Sequence, residues 1–230
     1  MNASSKKTES RKASPGRTPS QTIIPINLPK PSFKSHTPLE KIFQQRKTTR
    51  GISEKNLPPQ TISNILWAAC GINRKKGPFG IPGRTAGSAS NSQEIDLYVA
   101  IESGIFLYDA PHHRLVPVIS GDFRSLAIGQ RQPDFPAKAP VHLIYVADIN
   151  RLSNTFGYQE PGLQDPEVQK SYYYVDTGLI AGNVYVFAAS EGLACWFHNC
   201  NRHALTAILN LRTDQQVLFG QTVGYPAKES

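Results

Sequence analysis

The stretch EVQKSYYYVDTGLIAGNVYVFAAS, residues 167–190, decides the fold. It is the longest helical pattern in the chain, and its second half, residues 177–189, is apolar nearly all round. A helix that is apolar on every side is buried, in a core or in a subunit interface. Gly192 stops it. Residues 193–197 then read as a strand, 202–209 as a helix and 216–223 (QVLFGQTV) as the last strand. Upstream, 141–147 (VHLIYVA) has the β-branched and aromatic content of a central strand. Before it, apolar runs at 95–101 and 105–108 flank Glu102-Ser103-Gly104, which is a hairpin signal. A weaker strand covers 115–119, a short helix 122–128, and a polar excursion 151–166. Near the start, a helix takes Thr37 as N-cap and Pro38 in its first turn, and a second runs from Pro59 to Ala69 and halts at Gly71. Helices, strands, helix, strand, helix, strand: the order predicts an α+β domain with helices layered on a central sheet.

Two segments carry the chemistry. The first, RKTTR at 46–50, places two guanidiniums and two hydroxyls directly after the first helix. Arginine offers a planar fork of donors matched to phosphate oxygens, and threonine adds a neutral donor. The second, GSASNSQ at 87–93, is a small-residue turn that lets backbone approach a flat ligand, with an Asn and a Gln that both donate and accept. A short basic run alone is usually solvated surface. Together the two point to a nucleotide-like cofactor. The loop 73–90 that delivers the chain to the second segment is long enough to be functional or disordered.

The 230 residues fit one large domain or two small ones. The formal charge of +8 is concentrated unevenly. Residues 1–20 hold Lys6, Lys7, Arg11, Lys12 and Arg17 against Glu9, with many serines and few large apolar side chains, and read as a disordered tail. Residues 21–37 hold several prolines and read as an extended arm, so that residues 1–37 form a tail and arm and 38–230 the folded domain. Much of the basicity thus belongs to a tail and a ligand site, and neither a nucleic-acid partner nor a membrane is expected. No apolar run reaches the roughly 20 residues of a membrane span. Three cysteines without CxxC spacing argue against a disulfide framework or structural zinc and suit a reducing cytoplasm. Cys195, Cys200, His198 and His203 lie close in sequence, but strand alternation sends Cys195 and Phe197 one way and Trp196 and His198 the other, so no metal site is expected. His112 and His113 read as a hairpin tip and Tyr172 to Tyr174 as packing or pocket lining. No catalytic triad and no paired carboxylates stand out.

Seven pieces in order resemble the nitroreductase family of flavoproteins: RKTTRGIS at 46–53, ILWAACGINR at 65–74, GRTAGSASNSQEIDLYV at 83–99, GIFLYD at 104–109, APVHLIYVAD at 139–148, VDTGLIAGNVYVFAASEGLA at 175–194 and QTVGYP at 221–226. The likeness is strongest to the branch that includes azoline-oxidising dehydrogenases of peptide natural-product pathways. It implies a three-layer α/β/α fold with a mainly antiparallel sheet, bound FMN, and an intertwined homodimer with two flavins at its interface. By this resemblance Arg46, Thr48 and Arg50 grip the FMN phosphate and ribityl chain. Ser88, Ala89, Ser90 and Asn91 approach the flavin of the partner subunit, and Gln130 supplies an amide near the pyrimidine edge. The corner Phe197, His198, Asn199, Cys200 lies by the flavin N5, with His198 the best polar candidate beside the ring. Asn199 stands where glycine is common in the family, and asparagine tolerates left-handed backbone there. Lys228 is the one C-terminal base available for the phosphate, and Lys47 or a backbone N–H would face the N1–C2=O edge.

The implied activity is a ping-pong reaction in which NAD(P)H reduces FMN and a nitroaromatic, quinone or similar small acceptor reoxidises it, the cofactor carrying the chemistry and no side chain serving as a catalytic acid. The alternatives are dehydrogenation of an azoline in a modified peptide and, outside enzymes, a basic binding module.

Overall fold

A computed structural model of the chain describes residues 22–33, 36–129 and 136–228. Its elements are β1 (Ile26–Asn27), α1 (Leu39–Gln45), α2 (Pro59–Cys70), β2 (Ile72–Arg74), β3 (Gly83–Arg84), β4 (Ile95–Ile101), β5 (Gly104–Asp109), β6 (Arg114–Ser120), β7 (Val141–Asp148), α3 (Ile149–Ser153), α4 (Pro166–Ser190), β8 (Ala194–His198), α5 (Arg202–Ile208) and β9 (Gln215–Gly224). Seven strands form one sheet in the order β1-β6-β5-β4-β7-β9-β8, and every pairing is antiparallel. The α+β class and the mainly antiparallel sheet expected from the sequence are what the molecule has.

Strand β7 is buried along its whole length, which explains why it reads as an unbroken apolar run. Its pleat feeds two cores. Val141, Leu143 and Tyr145 join Leu97 and Val99 of β4 against α2 and α4, whereas Ile144 and Val146 join Tyr98 and Ala100 against α5. The register pairs Val99 with Leu143 and Tyr98 with Ile144, so each pair shares a face. The sheet therefore lies between two helical layers.

Helix α4 begins on a capped turn, with Asp165 accepting the amides of Glu167 and Val168. One face, including Tyr173, Ile180, Val184 and Phe187, is buried in the first core. The other face of a single chain is exposed, with Val175 at 59% and Leu179 at 48%. Beside them, Gly178 and Gly182 have nothing within 4 Å of an added Cβ.

The N-terminal arm packs on the domain. Ile26 pairs with Leu115, Ser32 N–H donates to Asn64 Oδ1 at 3.0 Å, and Phe33 stacks on Trp67 at 5.2 Å. His113, at the turn before β6, meets Ser63 at 2.7 Å and Tyr108 at 2.9 Å, and so fastens α2 and the arm to the sheet. The expected helix at 122–128 is a single 3-10 turn, Arg124–Ala127, fixed by the Arg124–Asp122 pair at 2.7 Å. The segment 73–90 is not a bare loop: β2 and β3 form a short hairpin there. The excursion after β7 holds α3 and a 3-10 turn, Pro161–Gln164. The tail expected at 1–20 lies outside the described residues.

Candidate functional site

The segment 46–50 leaves α1 and runs along the outer edge of the sheet. Thr49 N–H donates to the Cys195 carbonyl at 2.9 Å, Ser53 N–H to that of Tyr225 at 2.9 Å, and Ala227 N–H to that of Gly51 at 2.9 Å. These bonds stitch the cationic stretch between β8 and the chain that follows β9. Its extended backbone turns alternate side chains to different surroundings. Lys47 and Thr49 line a cleft of ≈620 Å³ whose other wall is the C-terminal part of α4, with Tyr185, Ala188 and Ser190, and whose floor includes Cys195.

The even-numbered residues rest on aromatic groups. The Arg46 guanidinium lies 5.4 Å from the centroid of Tyr185, and that of Arg50 lies 5.1 Å from Trp196. Thr48 Oγ1 is 3.0 Å from Tyr185 Oη, which also accepts the Phe197 amide at 2.8 Å. Stacking on rings orients a guanidinium without neutralising it. Among the described residues, no carboxylate pairs with Arg46, Lys47 or Arg50. Three cations within five consecutive residues, none paired with a carboxylate, make this segment a candidate site for an anion.

The turn at 88–91 is built differently. Ser90, Asn91 and Gln93 all have positive φ, at 49°, 56° and 52°, which is costly for residues with a Cβ. Side chains hold it there. Ser88 Oγ accepts the Gln93 amide at 2.9 Å, Ser90 Oγ donates to the Gly157 carbonyl at 3.0 Å, and Asn91 Nδ2 to that of Ile81 at 3.3 Å. Arg84 Nε donates to Gln93 Oε1 at 2.6 Å. Ala89 N–H donates to Asp176 Oδ2 at 2.8 Å, which pins the turn to the first half of α4. Asp176 and Tyr185 are separated by nine residues of helix, about 14 Å at 1.5 Å per residue. Within one chain, the turn and the cationic segment are therefore apart.

Behind the turn is a pair that sequence reading missed. Glu94 is fully buried, with Oε2 accepting the Ser92 hydroxyl at 2.5 Å, and it lines one small pocket together with Asp176, whose charge acts on it. Burial, then the Asp176 charge, pushes Glu94 up to about 8. Burial also raises Asp176. The two acids come from distant parts of the chain, and no local spacing announces them.

At the corner after β8, the alternation is as expected: Phe197 joins the first core, and Trp196 meets His198 edge-to-face at 5.3 Å on the other side. The His198 imidazole is buried. Its Nδ1 meets the Asn199 carbonyl at 2.8 Å and its Nε2 meets Thr222 Oγ1 at 2.8 Å, which in turn meets His142 Nδ1 at 2.8 Å. A carbonyl only accepts, so Nδ1 of His198 carries the hydrogen and Nε2 takes the Thr222 hydrogen. Burial pushes His198 down to about 4 and His142 down to about 3, and both are neutral near pH 7. Asn199 is exposed and is not among the residues with positive φ.

Lys228 is exposed and directly follows Ala227, which is bonded to Gly51. Gln130 lies outside the described residues. His112 is exposed and paired with Asp109 at 2.8 Å. Tyr173 is buried with its hydroxyl on Gln216 at 3.1 Å, and Tyr174 meets Phe219 edge-to-face at 5.7 Å, so both serve packing. Burial holds Cys195 up at about 12 and Cys200 at about 11, and raises Cys70 as well. None of these thiols is a thiolate nucleophile. Among the described residues, no group of three or more His, Cys, Asp or Glu side chains is placed to hold a metal ion, and no helix is long and apolar enough to cross a membrane.

Comparison with known proteins gives a consistent result. A model of the nitroreductase family matches residues 43–225. A protein of Methanocaldococcus jannaschii, provisionally named a nitroreductase, is 27% identical over 162 residues, 67% of this chain and 75% of its own length. A crystal structure of a provisionally named nitroreductase from Ralstonia eutropha is 31% identical, covers 93% of this chain and 97% of its own, and superposes with a TM-score of 0.76. Nitroreductase A from Vibrio parahaemolyticus shares the fold at 16% identity, with a TM-score of 0.53 over 82% of this chain and 67% of its own.

Proposed function

The chain belongs to the nitroreductase family, and from that premise we propose that it is an FMN-dependent NAD(P)H oxidoreductase acting on nitroaromatic, quinone or similar small acceptors. The coarser statement, a flavin-type oxidoreductase, follows from the family itself. The observation that carries the finer reading is the un-neutralised cationic segment itself: Lys47 lines the ≈620 Å³ cleft beside α4, and Arg46 and Arg50 are held on the neighbouring rings of Tyr185 and Trp196. A flavin mononucleotide brings a phosphate dianion that such a trio balances, and the planar forks of Arg46 and Arg50 suit its oxygens.

FMN, when bound, supplies the hydride chemistry. The chain's own residues bind and orient. Arg46 and Arg50 hold the phosphate, with Thr48 as a neutral donor positioned by Tyr185. Lys47 places positive charge where an anionic ring edge is stabilised. His198 is not poised as an acid or base: it is buried, neutral near pH 7 and already bonded on both nitrogens. The donor and the acceptor then use one face of the cofactor in turn, which is ping-pong kinetics.

The exposed strip of α4, with Val175 and Leu179 beside Gly178 and Gly182, supports a homodimer, because glycines without a Cβ let a second helix approach closely. In such a dimer the separation of the 88–91 turn from the cationic segment has a purpose: the turn serves the cofactor of the other subunit. The test is an absorbance scan of the purified protein followed by anaerobic titration with NADH and NADPH. The reading requires a flavin spectrum that bleaches with at least one of them. A colourless protein that takes up no added FMN contradicts it.

A further inference from the structure

The buried acids Glu94 and Asp176 sit where this reading does not use them. Glu94 Oε1 is buried, and no donor reaches it. Asp176 Oδ2 already accepts the Ala89 amide. Ionised carboxylates only accept, so two that share one small pocket, one of them with an oxygen that no donor reaches, need one proton between them. That proton has an evident seat. The Ser92 hydroxyl occupies Oε2 of Glu94, which leaves Oε1 to carry the hydrogen toward Asp176.

We propose that Glu94 is a positioning residue of the flavin site: protonated, it donates to the Asp176 carboxylate, and Asp176, so completed, holds Ala89 and the turn 88–91 in place for the cofactor. The proposal rests on the FMN reading above. The turn needs holding, because Ser90, Asn91 and Gln93 each sit in a conformation they leave when released. Removing the proton puts two negative charges in contact inside the protein and sets Asp176 against its neighbour instead of against Ala89.

The other charged and titratable groups around the pair are already committed. Arg84 on β3 is bonded to Gln93 and lies beside Cys70 of α2. Arg151 on α3 is paired with Asp96 at 2.9 Å and with Asp148 at 3.3 Å. Tyr158, in the excursion before α4, is itself held protonated by burial, then by Tyr172 and these acids. Among the described residues, none forms an ion pair with Glu94 or Asp176, so the shared proton is the local means of balancing them.

The test combines infrared spectroscopy with FMN titration from neutral to alkaline pH, on the wild type, Glu94→Gln and Ser92→Ala. The carboxamide of Glu94→Gln donates to Asp176 at every pH. Ser92→Ala removes a bond that favours the ionised form, which moves the transition to higher pH. The expected results are a carboxylic-acid C=O band near neutral pH that Glu94→Gln abolishes, and a wild-type FMN Kd that rises about ten-fold per pH unit above about 8. Glu94→Gln should give a flat profile and Ser92→Ala a shifted one. Absence of the acid band in the wild type overturns the shared proton. An acid band with identical affinity profiles in all three proteins overturns the positioning role. An acid band in a protein that binds no flavin at any pH leaves the shared proton standing and overturns the FMN reading and the link to it.

Discussion

Tyr185 Oη on α4 lies 3.0 Å from Thr48 Oγ1 and accepts the amide of Phe197 at 2.8 Å, so one phenol ties the cationic segment to both the buried helix and the edge strand. The same ring lies under the Arg46 guanidinium. Tyr185→Phe keeps the ring and removes both bonds. It leaves the Phe197 amide without its partner, and the expected cost is about 1–2 kcal/mol of stability. Thermal or urea unfolding measures this. FMN affinity is expected to fall several-fold as Thr48 loses its register, whereas Tyr185→Ala, which also removes the platform for Arg46, should cost more on both counts.

The chain His142, Thr222, His198 predicts an acid limit to stability. Both imidazoles are favoured in the neutral form by burial, with His198 down to about 4 and His142 down to about 3. Their unfolded-state value is about 6.5. Below that value the unfolded chain binds more protons than the folded one, so stability is full above about pH 6.5 and falls as pH drops toward 4. Urea midpoints at neutral and mildly acid pH test this. Thr222→Val should cost about 1–3 kcal/mol near neutral pH, because it strands the buried nitrogens of both rings. The acid loss should persist in that variant, since desolvation is its main cause.

The thiols are expected to be silent. Cys70, Cys195 and Cys200 are all buried, and burial raises each above its ordinary value. A disulfide-exchange reagent near neutral pH should react with none of them in the folded protein and with all after unfolding. Cys195 is the informative one, because it lines the cleft. Its rapid reaction in the native state would mean that the cleft opens deeper than its geometry shows.

What was legible in the sequence follows from where the signal is local. Strand β7 and the inner half of α4 are apolar over their length because both bury most of their surface, and such runs survive as plain text. The hairpin of β2 and β3 was not legible: strands of three and two residues, half polar, have no period to detect. The apolar pattern of α4 reads as burial in a core or in a subunit interface without saying which face goes where; the fold shows that one face packs in the core and the other, with Val175 and Leu179, is exposed in the single chain. At the site, the cationic segment announced itself through five adjacent residues. Its aromatic supports, Tyr185 and Trp196, come from α4 and β8 and are joined to it only by the fold. The pair Glu94 and Asp176 escaped for the same reason, one acid preceding β4 and the other in α4.

Paired titrations with FMN and riboflavin, which differ by one phosphate, test whether Arg46 and Arg50 hold that phosphate. The wild type should bind FMN far more tightly than riboflavin. Arg46→Ala with Arg50→Ala should weaken FMN about a hundred-fold or more, roughly 3 kcal/mol, while changing riboflavin affinity little and leaving the unfolding midpoint near that of the wild type. A folded double variant that still prefers FMN to riboflavin by the wild-type margin would contradict it.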